Sequence, residues 1–155
     1  TVGSASTKNS FTGVDANIYY YTVRTTDLAG NFTDSACSSS MVIDTSAPAA
    51  PTANTWAHTS PYNNTALTAN WTISTDSDVA SQRVDYYTNA SCSAPASSTK
   101  TLGPAATSDV VAGVDGSEYY FTVTAIDNAG NEGVSTCSSG LLIDTTPPIA
   151  STNHI

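Results

Sequence analysis

Few side chains in this sequence can do chemistry. Its 155 residues hold three cysteines, two histidines, four lysines and arginines together, and 13 acidic residues. His58 and His154 stand in different parts of the chain, and neither has Cys, Asp or Glu at metal-ligand spacing. Asp76 and Asp78 are the nearest thing to a catalytic carboxylate pair. Asp76-Ser77-Asp78 is also what a polar turn between two strands looks like, and that reading is preferred. No glycine-rich phosphate loop and no nucleophile elbow occurs. Catalysis has no positive support, so no enzyme is expected. The net charge of −9 comes from scarce Lys and Arg. Four basic residues cannot make a phosphate-binding footprint, which excludes nucleic acid as a partner. No run of 18 apolar residues is present, and no membrane insertion is expected.

The elements that would position these residues are strands. Leu67, Ala69, Trp71 and Ile73 alternate with Thr68, Asn70 and Thr72, the period-2 pattern of a half-buried strand. Val84 and Tyr86 alternate with Arg83, Asp85 and Tyr87. Tyr119, Phe121, Val123 and Ala125 alternate with Tyr120, Thr122 and Thr124. Shorter strands are expected near 52–57, 97–102 and 107–112, and a last one over 136–143. Between them fall Ser60-Pro61, Asp76-Ser77-Asp78, Gly103-Pro104, Asp115-Gly116 and Ala129-Gly130-Asn131, all turn signals. About seven short strands with a turn every ten or so residues predict an all-β, immunoglobulin-like sandwich. The expected core is Leu67, Trp71, Val84, Tyr86, Val114, Tyr119, Phe121, Val123 and Leu141 or Leu142.

The chain also repeats itself. Gly13-Val14-Asp15, Tyr19-Tyr20, Ala29-Gly30-Asn31, Cys37-Ser38-Ser39 and Ile43-Asp44-Thr45 all return 100 positions on without a gap. Roughly half of the first 50 residues are unchanged at that spacing, which marks a repeat. The expected organisation is a half repeat over 1–48, a complete repeat over 49–148 and the start of another over 149–155. Asp144-Thr145-Thr146-Pro147-Pro148 should stiffen the joint, since each proline fixes its own φ and extends its predecessor.

The run from Val114 to Ala125 resembles the entry into strand F of fibronectin type III domains, and Trp71 resembles that family's strand-B tryptophan. Asp127-Asn128-Ala129-Gly130-Asn131 followed by Ile143-Asp144-Thr145-Thr146-Pro147-Pro148 is similar to tandem immunoglobulin-like and fibronectin-like repeats of large bacterial surface proteins. The resemblance implies a tandem fibronectin-like sandwich and a non-catalytic stalk or spacer of a cell-surface or secreted adhesin. It implies neighbouring repeats as partners, with glycans or another copy of the chain as the rival, adhesive reading. The tyrosine at the strand-F corner, Tyr119 or Tyr19, should bond upstream backbone through its hydroxyl. Gln82 departs from the family, standing where an aromatic core residue is usual, and predicts more polar packing beside Trp71.

Three site expectations follow from that topology. Calcium is the one cofactor considered. The resemblance would bring Asp76 and Asp78, Asp127 and Asn131, and Asp44 from the preceding linker to one pole, and calcium prefers such oxygen ligands. The competing reading has Asp127 cap its own loop and Asp44 end a strand. Cys92 and Cys137 suggest a disulfide and an oxidising compartment. A bridge within the repeat, a staple from Cys92 to the next repeat's counterpart of Cys137, and free thiols all remain open, because the expected topology sets the two at opposite poles. Tyr87 and Tyr120 are expected to point outward as a cross-strand pair, either stabilising the sheet or offering rings to a sugar or partner.

Overall fold

The computed structural model describes residues 8–150; His154, Thr1–Thr7 and the remainder of 151–155 lie outside them. Among the described residues there is no helix, and none is long and apolar enough to cross a membrane. The chain divides into two compact units, Thr1–Ser46 and Ala47–Ile155, a cut two residues ahead of the boundary expected at 48.

The second unit is a two-sheet sandwich. One sheet runs β5 (Thr52–Trp56), β6 (Ala66–Thr72) and β9 (Ser108–Ala112), in that order. The other contains β7 (Val79–Tyr87), β8 (Ser98–Leu102), β10 (Glu118–Asp127) and β11 (Glu132–Val134), ordered β11-β10-β7-β8, with β12 (Leu141–Leu142) also on β10. Strand alternation explains the register: Tyr86 faces Phe121 and Val84 faces Val123 across β7 and β10. Their inward rows meet Leu67, Ala69 and Trp71 of β6 in one apolar core. The rings of Trp56 and Phe121 meet edge to face at 4.9 Å.

One expected core position and one expected strand position are corrected. Val114 is 64% exposed, because it enters the Val114–Ser117 turn rather than a strand; fully buried Ile143 fills the core instead. Ile73 lies beyond the end of β6 and is open to solvent. The expected strand over 136–143 is two short pieces, β11 and β12. Between them the ladder continues through serines. Ser135 and Ser138 donate their N–H groups to the carbonyls of Val123 and Phe121, and their hydroxyls accept the N–H groups of the same two residues at 2.8 and 3.0 Å.

The first unit is built from β1 (Ile18–Tyr19), β2 (Arg24–Thr26), β3 (Phe32–Asp34) and β4 (Met41–Val42), paired β1 with β4 and β2 with β3. Tyr19 faces Met41 as Tyr119 faces Leu141, and Thr25 faces Thr33 as Ala125 faces Gly133.

Candidate functional site

Many polar side chains of the second unit hold backbone, and a few of them hold its ends. At the entrance, the Asp76 carboxylate accepts the Ala49 N–H at 2.5 Å. A Cβ on Gly133 would lie against the Pro48 carbonyl, so only glycine lets the entering linker lie against β11. At the exit, Asp115 accepts the Thr145 N–H at 2.6 Å and the Thr146 hydroxyl at 3.1 Å. Those bonds, the Thr145 amide first, hold the Asp115 carboxyl below the usual carboxylate range. Asp144 accepts the Thr146 N–H and gives its own N–H to Tyr62. The first unit has the same exit strap: Asp15 accepts the Thr45 N–H at 2.6 Å and the Ser46 hydroxyl at 3.2 Å. Asp44 accepts the Ser46 N–H.

The residues named for calcium are placed as follows within the second unit. Asp127, 3% exposed, accepts the N–H groups of Ala129 and Asn131 on one oxygen and the Asn131 side-chain amide on the other, each at 2.8 Å. Burial pushes its carboxyl up, but Asn131 and the loop amides outweigh that and hold it low. The two ligand candidates are thus committed to each other and to loop closure, and Gly130 supplies the turn with a φ of 92°. Asp27 and Asn31 close the matching loop of the first unit with the same three bonds. Asp78 is exposed and its carbonyl accepts the backbone N–H and the side-chain amide of Asn128. Asp76 holds the linker.

Cys92 and Cys137 form a disulfide, with Cα atoms 5.8 Å apart, so the bridge lies within the unit. The expected opposite poles are corrected by where the last strand begins. Pairing with β10 starts at Glu132, so Cys137 lies halfway down, one residue before Ser138, which bonds Phe121. Tyr120, next to Phe121, faces Tyr87 at the end of β7, and the chain turns back from there to Cys92. Tyr87 and Tyr120 are direct cross-strand partners. The expectation that both point into solvent is corrected: Tyr87 is 9% exposed and Tyr120 is half-buried, its hydroxyl raised in pKa by a bond to Glu118.

Gln82 is the polar centre that its position promised. It is fully buried, accepts the Trp71 indole N–H at 2.8 Å, and donates to the carbonyls of Gly103, Pro104 and Ala106 at 3.2, 2.9 and 2.9 Å. The corner tyrosines behave as expected: Tyr119 accepts the Val114 N–H at 3.1 Å and Tyr19 the Val14 N–H at 2.8 Å. His58 stacks on Tyr62 at 3.9 Å and, among the described residues of its unit, joins no metal-binding set. Sequence reasoning missed Ser135 and Ser138, although their return from Ser35 and Ser38 was the available signal. It also missed Tyr86, Asp109 and Lys100. The Tyr86 hydroxyl donates to Asp109 at 2.7 Å, and Lys100 reaches the same carboxylate at 2.9 Å. This joins the two sheets at an edge; burial, then Asp109, raises the phenol pKa.

No family model and no curated protein matches the chain. Solved structures do. The FN1–FN3 domains of chicken CNTN1 are 16% identical, with 84% of this chain and 44% of that chain covered and a TM-score of 0.57. An Fn3-like protein from Clostridium thermocellum is 24% identical over 68% of this chain and 100% of its own, with a TM-score of 0.45. The spore cortex lytic enzyme SleM of Clostridium perfringens is 19% identical over 61% of this chain, with a TM-score of 0.45, and the chain spans only 28% of it. The likeness to the CNTN1 domains speaks to fold alone: the chain has a fibronectin type III-like β-sandwich fold.

Proposed function

We propose that the chain is a non-catalytic spacer: fibronectin-like repeats joined in series by strapped linkers, in the stalk of a cell-surface or secreted protein. The observation that carries this reading is the exit strap, Asp15 on Thr45 and Ser46 and Asp115 on Thr145 and Thr146. A repeat that grips its own outgoing linker fixes the direction in which the next one starts. The Cys92–Cys137 disulfide supports an oxidising compartment outside the cytosol. The adhesive reading draws less support, since Tyr87 of its proposed ring pair is 9% exposed. Calcium stays a proposal at Asp44, Asp76, Asp78, Asp127 and Asn131; loop closure at Asp127 does not need it. It predicts a higher melting temperature of the whole chain in millimolar calcium than in chelator, and an unchanged melt removes it.

The spacer reading is tested by small-angle scattering on arrays of residues 49–148. Maximum dimension should grow in proportion to repeat number, and Asp115→Ala should shorten it. Growth as the square root of repeat number, as for a flexible chain, with Asp115→Ala indistinguishable, would remove the spacer reading.

A further inference from the structure

Residues 8–46 carry the same bonding frame as residues 108–146. Tyr21 and Val23 donate their N–H groups to the hydroxyls of Ser38 and Ser35, as Phe121 and Val123 do to Ser138 and Ser135. What differs is the cover. Phe121, Val123 and Leu141 are 0, 0 and 1% exposed, whereas Tyr21, Val23 and Met41 are 68, 55 and 48% exposed. In the second unit the cover comes from residues 49–100: Trp56, Leu67, Trp71, Val84 and Tyr86. The edge differs too. β10 is paired with β7 from Tyr120 to Asp127, whereas among the described residues β2 pairs only with β3. The thiol differs as well: Cys137 is bonded to Cys92, while Cys37 is exposed and free.

Face, edge and thiol all specify one occupant. We propose that the open side of residues 8–46 receives a segment of the 49–100 pattern joined in series ahead of Thr1, and that its counterpart of Cys92 forms a disulfide with Cys37. The in-series source follows from the second unit, where the covering segment 49–100 directly precedes, in one chain, the frame that it covers. The bond forms by thiol–disulfide exchange with a small-molecule disulfide such as oxidised glutathione. The two protein thiols lose two electrons and two protons, and the glutathione disulfide becomes two thiols.

The inference rests on the repeat reading above but is tested apart from it, because arrays of 49–148 contain neither Cys37 nor the open face. A second copy of residues 49–100 is placed directly before Thr1 and compared with the 155-residue chain. Exchange of the Tyr21 and Val23 amides should slow on the order of 10³-fold, toward Phe121 and Val123. Non-reducing peptide mapping should find Cys37 bridged to the added Cys92. Cys37→Ser in the extended chain should keep the protection, since packing rather than the bridge closes the face. Should the extended chain aggregate, a peptide of residues 79–100 in glutathione buffer should capture Cys37 of the 155-residue chain at least tenfold faster than a scrambled one. Unprotected amides in a soluble extended chain, or capture at the scrambled rate, overturn the proposal. So does a dimer of the 155-residue chain that already protects both amides, which would make a second copy the occupant.

Discussion

Gln82 shows what a single polar residue does in a sandwich core. It fills a position flanked by apolar side chains, yet every hydrogen-bonding group it has is engaged: its oxygen by Trp71, its amide by three loop carbonyls. Replacing it by Met keeps the volume and leaves the buried indole N–H without an acceptor. We expect Gln82→Met to cost about 2 kcal/mol by urea denaturation; a change below about 0.5 kcal/mol would mean water replaces the pin. The carboxylates make a different contribution, set by pH. Asp115 and Asp127 both ionise more readily in the folded unit than their ordinary value of 3.8. Folded protein therefore binds fewer protons than unfolded, so their contribution is complete above that value and is lost as pH falls through the lowered ones. The urea midpoint should hold from pH 7 to 5 and fall below about pH 4, and Asp127→Asn should lower it at neutral pH while flattening the acid limb. Sequence alone revealed Gln82 as a departure from an aromatic pattern, but not its three acceptors. Those belong to a loop more than twenty residues away, which no local period encodes.

At the scale of elements, alternation was legible wherever a strand lies on the core. Leu67, Ala69 and Trp71 on β6, and Tyr119, Phe121 and Val123 on β10, were readable as inward rows and are buried as such. The reading failed where strands end. Val114 and Ile73 are apolar residues just outside an element, two and one residues past its end, and there backbone geometry decides which way a side chain points. The last strand was misplaced because its middle does not look like a strand. In Ser135-Thr136-Cys137-Ser138, two hydroxyls take the role of backbone carbonyls, and serine is otherwise a turn signal. Ser135 uses its full capacity, accepting from Val123 and Asn54 and donating to Thr136. Ser135→Ala should leave the buried Val123 N–H unpaired and cost about 1–3 kcal/mol. Ser135→Thr, which restores the hydroxyl, should recover most of that loss in a thermal melt. Equal losses in both variants would assign the effect to packing around β11 instead. The same misplacement hid the disulfide geometry. Once β11 begins at Glu132, Cys137 comes level with the end of β7, and the bridge to Cys92 needs no unusual path.

For the molecule as a whole, the bonds that recur at a spacing of 100 residues are largely those that fix backbone: Asp15 and Asp115, Tyr19 and Tyr119, Asp27 and Asp127, Ser35 and Ser135, Ser38 and Ser138. Some of the positions that drift also differ in burial, such as Tyr21 against Phe121 and Met41 against Leu141. Hydrogen bonds of that kind organise a chain without stabilising it much, since each replaces a bond to water. Net stability comes from apolar burial, and the two units differ sharply there. An open Tyr21, Val23 or Met41 forgoes about 1.5–3 kcal/mol of burial each, and a lone pair of strands is marginal in water. The 155-residue chain should therefore unfold in two stages. Residues 8–46 should lose protection in a shallow early transition, while the disulfide-bonded second unit unfolds later and cooperatively. Limited chymotrypsin digestion reads this directly. Cleavage should come first at Tyr20, Tyr21 or Phe32, leaving a resistant fragment that begins downstream of them and still holds Cys92 bonded to Cys137. Cleavage at Phe121 or Tyr86 at the same rate would mean that residues 8–46 are as stable as the complete sandwich, and hence that something other than the core seen around Phe121 stabilises this fold.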